Sequence, residues 1–241
     1  MKLAVVSHSG GLDSTTLMGY MLEEGYVVQP LNLNYGQQNV VEMKAQDKVV
    51  KFFKEKYGEN RVLDSIKIDL TPIVNPIQEI VENFRKNGFK NKKLDEAQLN
   101  HYFPNRNMLF SSIAAVFAET LAYFEGLEET SICIGIHKHI TYSPYWDITA
   151  DFAEAVQNVV KLNDAINVKV ETPFVSNTKA EIVKYMIEKE IPYELTWTCY
   201  EPQQKDGFYV PCKKCHACVE REKAGIDNDR NDINEYKVRR S

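Results

Sequence analysis

The fold of this chain is decided near its start, where residues 3–18 have the sequence LAVVSHSGGLDSTTLM. The apolar run at 3–6 contains two valines and predicts a strand that is buried on both faces. A Gly-Gly turn follows, and apolar residues at helical spacing (Leu17, Met18, Met21 and Leu22) predict a helix that ends before Gly25. A strand that leads through a glycine turn into a helix is the first unit of a parallel α/β sheet.

The alternation of strands and helices continues along most of the chain. Further strands are predicted at 27–33, 65–70, 131–136 and 168–173, and further helices at 40–57, 108–124, 151–162 and from the Thr178/Glu181 capping box to Glu190. We therefore predict a doubly wound parallel sheet, with its ligand at the carboxyl ends of the strands. The polar stretch 75–104 is less regular and is predicted to be a flexible flap over the site.

Length and charge exclude several classes of protein. The 241 residues fit one domain at 1–195, a small metal-binding segment at 196–225 and a polar tail at 226–241. The segment 196–221 is expected to be loop-like, and the tail to be disordered or docked on a partner subunit. A net charge of −5 argues against general nucleic-acid binding. No apolar run is expected to span a bilayer and no signal peptide is recognisable, so the sequence predicts a cytoplasmic protein.

The loop after the first strand has the chemistry of an oxyanion site. Its glycines present backbone N–H groups, and the helix start adds unpaired amides and the positive end of its dipole. Asp13 would repel a phosphate unless a cation lies between them, which implies Mg²⁺. The alternative is a glycine turn with an Asp N-cap. The candidate nucleotide-binding residues are Ser9, Gly10, Gly11, Leu12, Asp13, Ser14 and Thr15.

Four of the five cysteines are close together in the sequence, at Cys199, Cys212, Cys215 and Cys218. Thiolates at this spacing can form a tetrahedral Zn²⁺ site. Four sulfur ligands leave no open position, so the zinc is predicted to be structural. A redox or iron–sulfur site is the alternative. Cys133 lies between two isoleucines and is predicted to be a buried strand residue.

The glycine loop resembles the PP-loop of the N-type ATP pyrophosphatases, which cleave ATP to AMP and pyrophosphate. Together with the cysteines, it resembles the corresponding parts of the 7-cyano-7-deazaguanine (preQ0) synthase family. Five further segments agree with that family in the same order, at 35–37, 103–107, 142–147, 178–182 and 196–200. The resemblance extends over almost the whole chain, about 1–221.

This resemblance implies an ATP-dependent C–N ligase. Such an enzyme adenylates 7-carboxy-7-deazaguanine, replaces AMP with ammonia and converts the amide to the nitrile by a second adenylation. The resemblance also implies ATP, Mg²⁺, structural Zn²⁺ and a homodimer. The candidate catalytic residues are Asp13, Arg106 and Lys179, where the two cations would hold phosphate and developing charge. The candidate substrate-binding residues are Tyr35, Gln37, Asn105, Asn107, Tyr145 and Asp147.

The chain departs from the family where the acyl substrate is expected to bind. Gln38-Asn39 replace an Arg-His pair, Thr141 replaces an Asp, and Ile148-Thr149 replace a Cys-Arg pair. These changes favour an alternative, a diverged enzyme that stops at the amide or conjugates the deazaguanine to another amine. A protein N-terminus is one such acceptor, as in an antiviral defence system. A tRNA thiolation enzyme and a non-catalytic ATP-binding zinc module are the remaining alternatives.

Overall fold

The structure is a computed structural model that describes residues 1–36, 40–87, 103–138, 145–233 and 235–239. The strands are β1 (Leu3–Ser7), β2 (Val27–Asn34), β3 (Ile66–Asp69), β4 (Glu129–Cys133), β5 (Asn167–Glu171), β6 (Gln203–Lys205), β7 (Phe208–Val210) and β8 (Val238–Arg239). The helices are α1 (Leu12–Glu23), α2 (Val40–Tyr57), α3 (Thr71–Asn87), α4 (Arg106–Glu125), α5 (Ala150–Val160), α6 (Lys179–Glu188) and α7 (His216–Ile226).

The central sheet confirms the predicted doubly wound arrangement. Its strands run parallel in the order β3-β2-β1-β4-β5, with β1 in the middle. The chain therefore moves outward in one direction through β2 and β3 and in the other through β4 and β5. The strand order reverses beside β1, and in open α/β sheets ligands bind in the crevice at this point.

Alternate residues of β1 belong to two different hydrophobic cores. Ala4 and Val6 pack in one core with residues of α1, α2, α6 and α7. Val5 packs in the other, with residues of α3, α4 and α5. All three side chains are fully buried, and burying an apolar side chain of valine size stabilises a fold by about 1.5–3 kcal/mol. The continuous apolar run at 3–6 therefore has a structural cause, because helices cover both faces of the sheet.

The prediction of an irregular flap at 75–104 is wrong for its first part. Helix α3 runs from Thr71 to Asn87 and includes Pro76. Val74 is fully buried, and Ile77, one turn later, packs against the same core. The prolines and the polar face hid this amphipathic spacing in the sequence. Residues 88–102, which make up most of the rest of the stretch, lie outside the described residues.

The C-terminal region is more regular than predicted. The segment 196–221 contains the antiparallel strands β6 and β7 and the first part of α7, so it is not loop-like. Strand β8 of the tail pairs with β7, and Tyr236 and Val238 are buried in a cluster with Trp197. The tail thus docks on its own chain, because two of its few apolar side chains complete a local core. The division of the chain at 195 and 225 stays a prediction.

Helix α4 is the described segment that bears on the expectation about apolar runs. By length and composition alone, Arg106–Glu125 is long and apolar enough to cross a membrane. One face of the helix, with Ala114, Ala118 and Ala122, is fully buried in the core beside the sheet. A helix that covers a sheet passes the same test, so this one helix is weak evidence for a membrane span.

Candidate active site

Gly10 gives the loop after β1 its shape. Its φ of +92° lies in the left-handed region that residues with side chains rarely adopt. The backbone of α2 packs against it, so that a Cβ at this position would lie 2.6 Å from the amide nitrogen of Gln46 and would overlap the carbonyl oxygen of Glu42. A larger residue would therefore displace either the loop or α2.

Two serines brace the loop from inside. The amide of Ser9 donates a hydrogen bond to Ser14 Oγ at 3.2 Å, and Ser14 Oγ donates to the Gly11 carbonyl at 3.3 Å. The Gly11 amide donates to Ser9 Oγ at 3.2 Å. No side chain caps α1 at Gly11. The first amides of a helix have no partner within the helix, so this end of α1 suits an oxyanion.

Thr15 lies beneath the loop instead of facing the cavity. It is fully buried, and His8 Nε2 lies 3.1 Å from its hydroxyl oxygen. Burial lowers the pKa of His8 to about 3, so this imidazole is neutral at physiological pH. The position of Thr15 gives no support to a phosphate contact by its hydroxyl. A phosphate contact remains a prediction for the other members of the loop.

Asp13 and Lys179 meet at the start of two helices. Lys179 is almost completely buried, and its Nζ lies 2.6 Å and 2.5 Å from the two carboxylate oxygens of Asp13. The predicted capping box of Thr178 and Glu181 is confirmed, and it places Lys179 in the first turn of α6. A lysine there opposes the helix dipole, so it needs an anionic partner. His137 Nε2 is 3.8 Å from the same carboxylate.

A cavity of about 240 Å³ opens at the carboxyl end of β1. One side, the loop wall, is formed by Ser9, Gly11, Leu12, Asp13 and Ser14. The facing side, the arginine wall, is formed by Tyr35, Glu42, Arg106, Asn107, Phe110 and Tyr200. The structure thus brings residues from six separate segments of the chain around one space, as expected for a binding site in a parallel α/β sheet.

Arg106 is the cation of the arginine wall. It is the first residue of α4 and shares a hydrogen bond with the Tyr35 side chain. The Tyr35 ring stacks on Phe103 with a centroid separation of 6.1 Å and contacts Phe110 at 5.4 Å. Burial raises the pKa of Tyr35, which keeps its hydroxyl protonated as a hydrogen-bonding group. The aromatic contacts hold Tyr35, and Tyr35 in turn orients Arg106.

Asp147 and Asn107 form a pair that holds the start of α4. The Asn107 amide donates to Asp147 Oδ2 at 3.0 Å, and Asn107 Nδ2 donates to the Asp147 carbonyl at 2.7 Å. Both residues are buried. The Asp147 carboxylate therefore caps the helix, and this gives it a structural role next to the predicted substrate contact.

Glu42 is a cavity residue that the sequence reasoning missed. It lies in the first turn of α2, is half-buried and shares a hydrogen bond with the Ser9 side chain. Burial raises its pKa to about 7, against the opposing effects of Ser9 and Arg106. An acidic residue in the first turn of a helix is ordinary, so the sequence carried no signal for Glu42. Its neighbours come from distant parts of the chain.

Three predicted substrate-binding residues are not among the described residues that line the cavity. Gln37 lies outside the described residues, together with Gln38, Asn39 and 139–144. Asn105 is exposed, and it adopts the left-handed conformation with φ of 56° before α4. Tyr145 is half-buried and precedes the short 3-10 turn Trp146–Ile148. Their contacts with a substrate stay predictions.

The four cysteines of the C-terminal segment converge as predicted. The sulfur atoms of Cys199, Cys212, Cys215 and Cys218 all lie within 4.8 Å of one another. The amide of Cys212 donates to Cys199 Sγ at 3.2 Å, and the Cys215 amide donates to Cys212 Sγ at 3.3 Å. A tetrahedral zinc site places its sulfurs about 3.8 Å apart, so the cluster fits a metal ion of this type.

Cys133 lies apart from this cluster. It is fully buried in β4, as predicted, and burial raises the pKa of its thiol well above the usual value. A thiol in such surroundings is not a reactive nucleophile. The tRNA thiolation alternative requires a reactive cysteine outside the cluster, and Cys133 does not meet this requirement.

Trp197 connects the cysteine cluster to the glycine loop. Its amide donates to the Gly10 carbonyl at 2.9 Å, and its indole Nε1 donates to the Cys199 carbonyl at 2.8 Å. The ring is fully buried and packs edge-on against Tyr236 at 5.1 Å. The hydrogen bonds of Trp197 therefore link the glycine loop to the cysteine cluster.

Arg221 holds the segment that contains Trp197 in position. Its guanidinium is fully buried and donates to Thr196 Oγ1 at 2.9 Å, to Thr198 Oγ1 at 2.8 Å and to the Tyr193 carbonyl at 2.6 Å. Burial lowers the pKa of Arg221 to about 10. The guanidinium still carries its charge at neutral pH and holds the segment between α6 and Cys199 in position.

Comparison with known proteins agrees with this geometry. The chain matches the family model described as "Queuosine biosynthesis protein QueC" over residues 3–228. It is 35% identical over 226 residues to a 7-cyano-7-deazaguanine synthase of Archaeoglobus fulgidus, with 93% of this chain and 86% of the relative covered. It is 33% identical over 230 residues to that of Thermoplasma volcanium, with 94% and 87% covered.

Proposed function

The chain belongs to the QueC family of queuosine biosynthesis proteins, and on that premise we propose that it is an ATP-dependent C–N ligase acting on 7-carboxy-7-deazaguanine. The observation that carries the proposal is the arrangement of charge in the cavity. An Asp13–Lys179 pair stands beside the glycine loop, and Arg106 stands on the facing wall. This is the arrangement needed to bring two anions together.

The loop wall would hold the phosphates of ATP. The amides at the start of α1 and the hydroxyls of Ser9 and Ser14 are hydrogen-bond donors for phosphate oxygens. Lys179 already neutralises Asp13, and its ammonium group has further protons to donate to a phosphate that enters beside the pair. Asp13 would then hold the Mg²⁺ ion that accompanies the nucleotide. ATP supplies the adenylyl group that turns a carboxylate into an activated ester.

The arginine wall would hold the acyl substrate. A carboxylate that attacks the α-phosphate is repelled by it, and a fixed guanidinium between them lowers this repulsion in the transition state. Arg106 is fixed for this purpose by Tyr35, and the start of its helix is fixed by Asp147. The bond that forms joins the carboxylate oxygen to phosphorus, and the bond that breaks releases pyrophosphate. An amine then displaces AMP and leaves an amide.

We propose that the cysteine cluster holds structural Zn²⁺. Its four thiolates would fill a tetrahedral coordination shell and would leave no position for a substrate. The cluster would act on the reaction indirectly, since Trp197 joins it to Gly10.

The final product is the nitrile or, as a second candidate, the amide or a conjugate with another amine. One observation favours the second candidate. Thr149 stands where the 7-cyano-7-deazaguanine synthase family has Arg. It caps α5, because its Oγ1 accepts a hydrogen bond from the Phe152 amide at 3.1 Å. Ile148 packs against the second core. Both positions that differ from the family therefore hold uncharged side chains with structural roles, so position 149 does not supply the cation that the family has there.

We also propose that the enzyme is a cytoplasmic homodimer. Helix α4 supports this proposal with an exposed apolar surface at Val116, Tyr123 and Phe124, whose exposed fractions are 62%, 57% and 83%. Apolar surface of this kind marks interaction sites in many soluble proteins. Light scattering coupled to size-exclusion chromatography would give the mass of a dimer if the proposal is correct.

Product identification tests the proposed function. The purified protein is incubated with Mg-ATP and 7-carboxy-7-deazaguanine, with and without ammonium, and both small molecules and intact protein are analysed by mass spectrometry. AMP together with the nitrile identifies a complete synthase. AMP with the amide, or with a protein of increased mass, identifies the second candidate. Absence of AMP in every reaction contradicts the ligase proposal and favours an ATP-binding module.

A further inference from the structure

Glu42 lies where the two walls of the cavity meet. Its Oε1 would be 2.9 Å from a Cβ built on Gly11, so the carboxylate is packed directly against the loop. It shares a hydrogen bond with the Ser9 side chain and feels the charge of Arg106 across the cavity. A group in this position would border both the phosphate and the acyl carbon of a bound adenylate.

A carboxylate is an unfavourable choice for a wall that binds ATP, because it adds negative charge beside phosphates. Asp13, the carboxylate of the loop wall, is neutralised by Lys179. Glu42 instead has a neutral hydroxyl as its hydrogen-bond partner. Among the described residues, the charged and titratable groups that interact with it are Asp13, Arg106, Tyr35 and Tyr200. The raised pKa of Glu42, about 7, is suited to accepting a proton near neutral pH.

The second half of the proposed reaction needs such a proton acceptor. An amine attacks an acyl carbon through its lone pair and must lose a proton to become an amide. Two other candidate bases, His8 in the cavity lining and Asp147 behind the lining residue Asn107, are committed elsewhere. His8 lies against the Thr15 hydroxyl, and burial lowers the pKa of His8 to about 3. The Asp147 carboxylate accepts a hydrogen bond from the Asn107 backbone amide.

We propose that Glu42 is the residue that accepts the proton from the amine nucleophile. This inference rests on the proposed function. In the step, the C–N bond forms, the bond between the acyl carbon and the AMP oxygen breaks, and AMP leaves with the electron pair. The proton lost by nitrogen goes to the Glu42 carboxylate, which later releases it to water.

The substitution Glu42→Gln tests the inference, because the amide keeps the size of the side chain and cannot accept the proton. With ammonium at pH 7, amide formation should fall by about a hundredfold or more. With hydroxylamine, which is neutral at this pH and strongly nucleophilic, hydroxamate formation should stay close to that of the wild type. The hydroxamate reports adenylation, so the two amines separate the two half-reactions.

Three controls complete the experiment. Glu55→Gln changes an exposed glutamate of the same helix and should leave both reactions unchanged. Glu42→Asp should recover part of the ammonium-dependent rate. In the wild type, the pH profile of the rate with ammonium should show a group with a pKa near 7. In Glu42→Gln, this group should be missing from the profile. Thermal unfolding shows whether each variant is folded.

The outcomes distinguish this inference from the proposed function. A wild type that forms neither AMP nor hydroxamate contradicts the proposed function, and the inference falls with it. An active wild type with an equally active Glu42→Gln variant overturns only the inference. Equal losses with ammonium and hydroxylamine would also overturn it, because Glu42 would then be needed for adenylation or folding.

Discussion

The glycine loop and the cysteine cluster form two sites by different means. The loop takes its shape from consecutive residues, through the left-handed Gly10 and the hydrogen bonds between Ser9 and Ser14. The cluster collects four side chains from 199–218, after β6 and β7 have turned the chain back on itself. A contiguous backbone motif can form before its ligand arrives. Four thiolates repel one another, so a cluster of this kind depends on its metal.

The two sites are nevertheless physically joined. The Trp197 amide donates a hydrogen bond to the Gly10 carbonyl, and its indole N–H donates one to the Cys199 carbonyl. Damage to the cluster should therefore reach the ATP side through Gly10, whereas a change on the ATP side that leaves the Gly10–Trp197 hydrogen bond intact should leave the metal in place. This asymmetry can be tested from both ends.

The largest effect is expected on the loop side from Lys179→Met. Removal of the ammonium group leaves Asp13 without its 2.5 Å partner and removes the cation nearest the phosphates. The rate of AMP formation should fall by about 10²–10³-fold. Metal content should stay at the wild-type value, and Lys184→Met, an exposed lysine of the same helix, serves as the control. Loss of metal in Lys179→Met would contradict the asymmetry.

The next effect is expected on the cluster side from Cys218→Ser. Loss of one thiolate should lower the bound metal measured by elemental mass spectrometry and lower the melting temperature. The dissociation constant for ATP should rise about threefold to tenfold, since Trp197 loses its anchored neighbour. Cys133→Ala is the matched control and should keep the metal. Unchanged ATP binding in metal-depleted protein would show that the two sites are independent.

A smaller effect is expected from Gly10→Ala, which changes the loop but not its charges. The added Cβ forces strain at φ of +92° and overlap with α2, at a cost of about 1–3 kcal/mol in the free energy of unfolding. Chemical denaturation should show this loss and calorimetry should show weaker ATP binding. Gly207→Ala, at a φ of +79° with open space around it, separates strain from overlap.

The smallest effect near neutral pH concerns His8. Its native pKa of about 3 lies below the ordinary 6.5, so the unfolded chain binds a proton between these values that the native protein excludes. The contribution of His8 to the free energy of unfolding is fully present above pH 6.5. It falls as the pH drops, by up to about 1.4 kcal/mol per pH unit. His8→Gln should flatten this slope in denaturant titrations. If the free energy of unfolding depended on pH equally in the wild type and in His8→Gln, the lowered pKa of His8 would be contradicted.

Much of the architecture follows from local sequence. The apolar run at 3–6 and the Gly-Gly turn predicted the buried strand and the loop, and the limits of α2 were predicted as observed. The spacing of the four cysteines predicted their convergence. Each of these signals depends on residues close to one another in the chain. Helix α3 was missed because its prolines and polar residues outweighed the spacing of Val74 and Ile77.

The alternation of strands and helices, the glycine loop and the candidate metal ligands could all be predicted from neighbouring residues, because these residues encode backbone conformation and ligand chemistry. Long-range packing was needed to bring Lys179 to Asp13, to place the Asp147 carboxylate at the start of α4 and to position Glu42 at the cavity. It also decided that the tail packs against Trp197. These contacts join distant segments, and they arise from the spatial order of the strands on either side of β1.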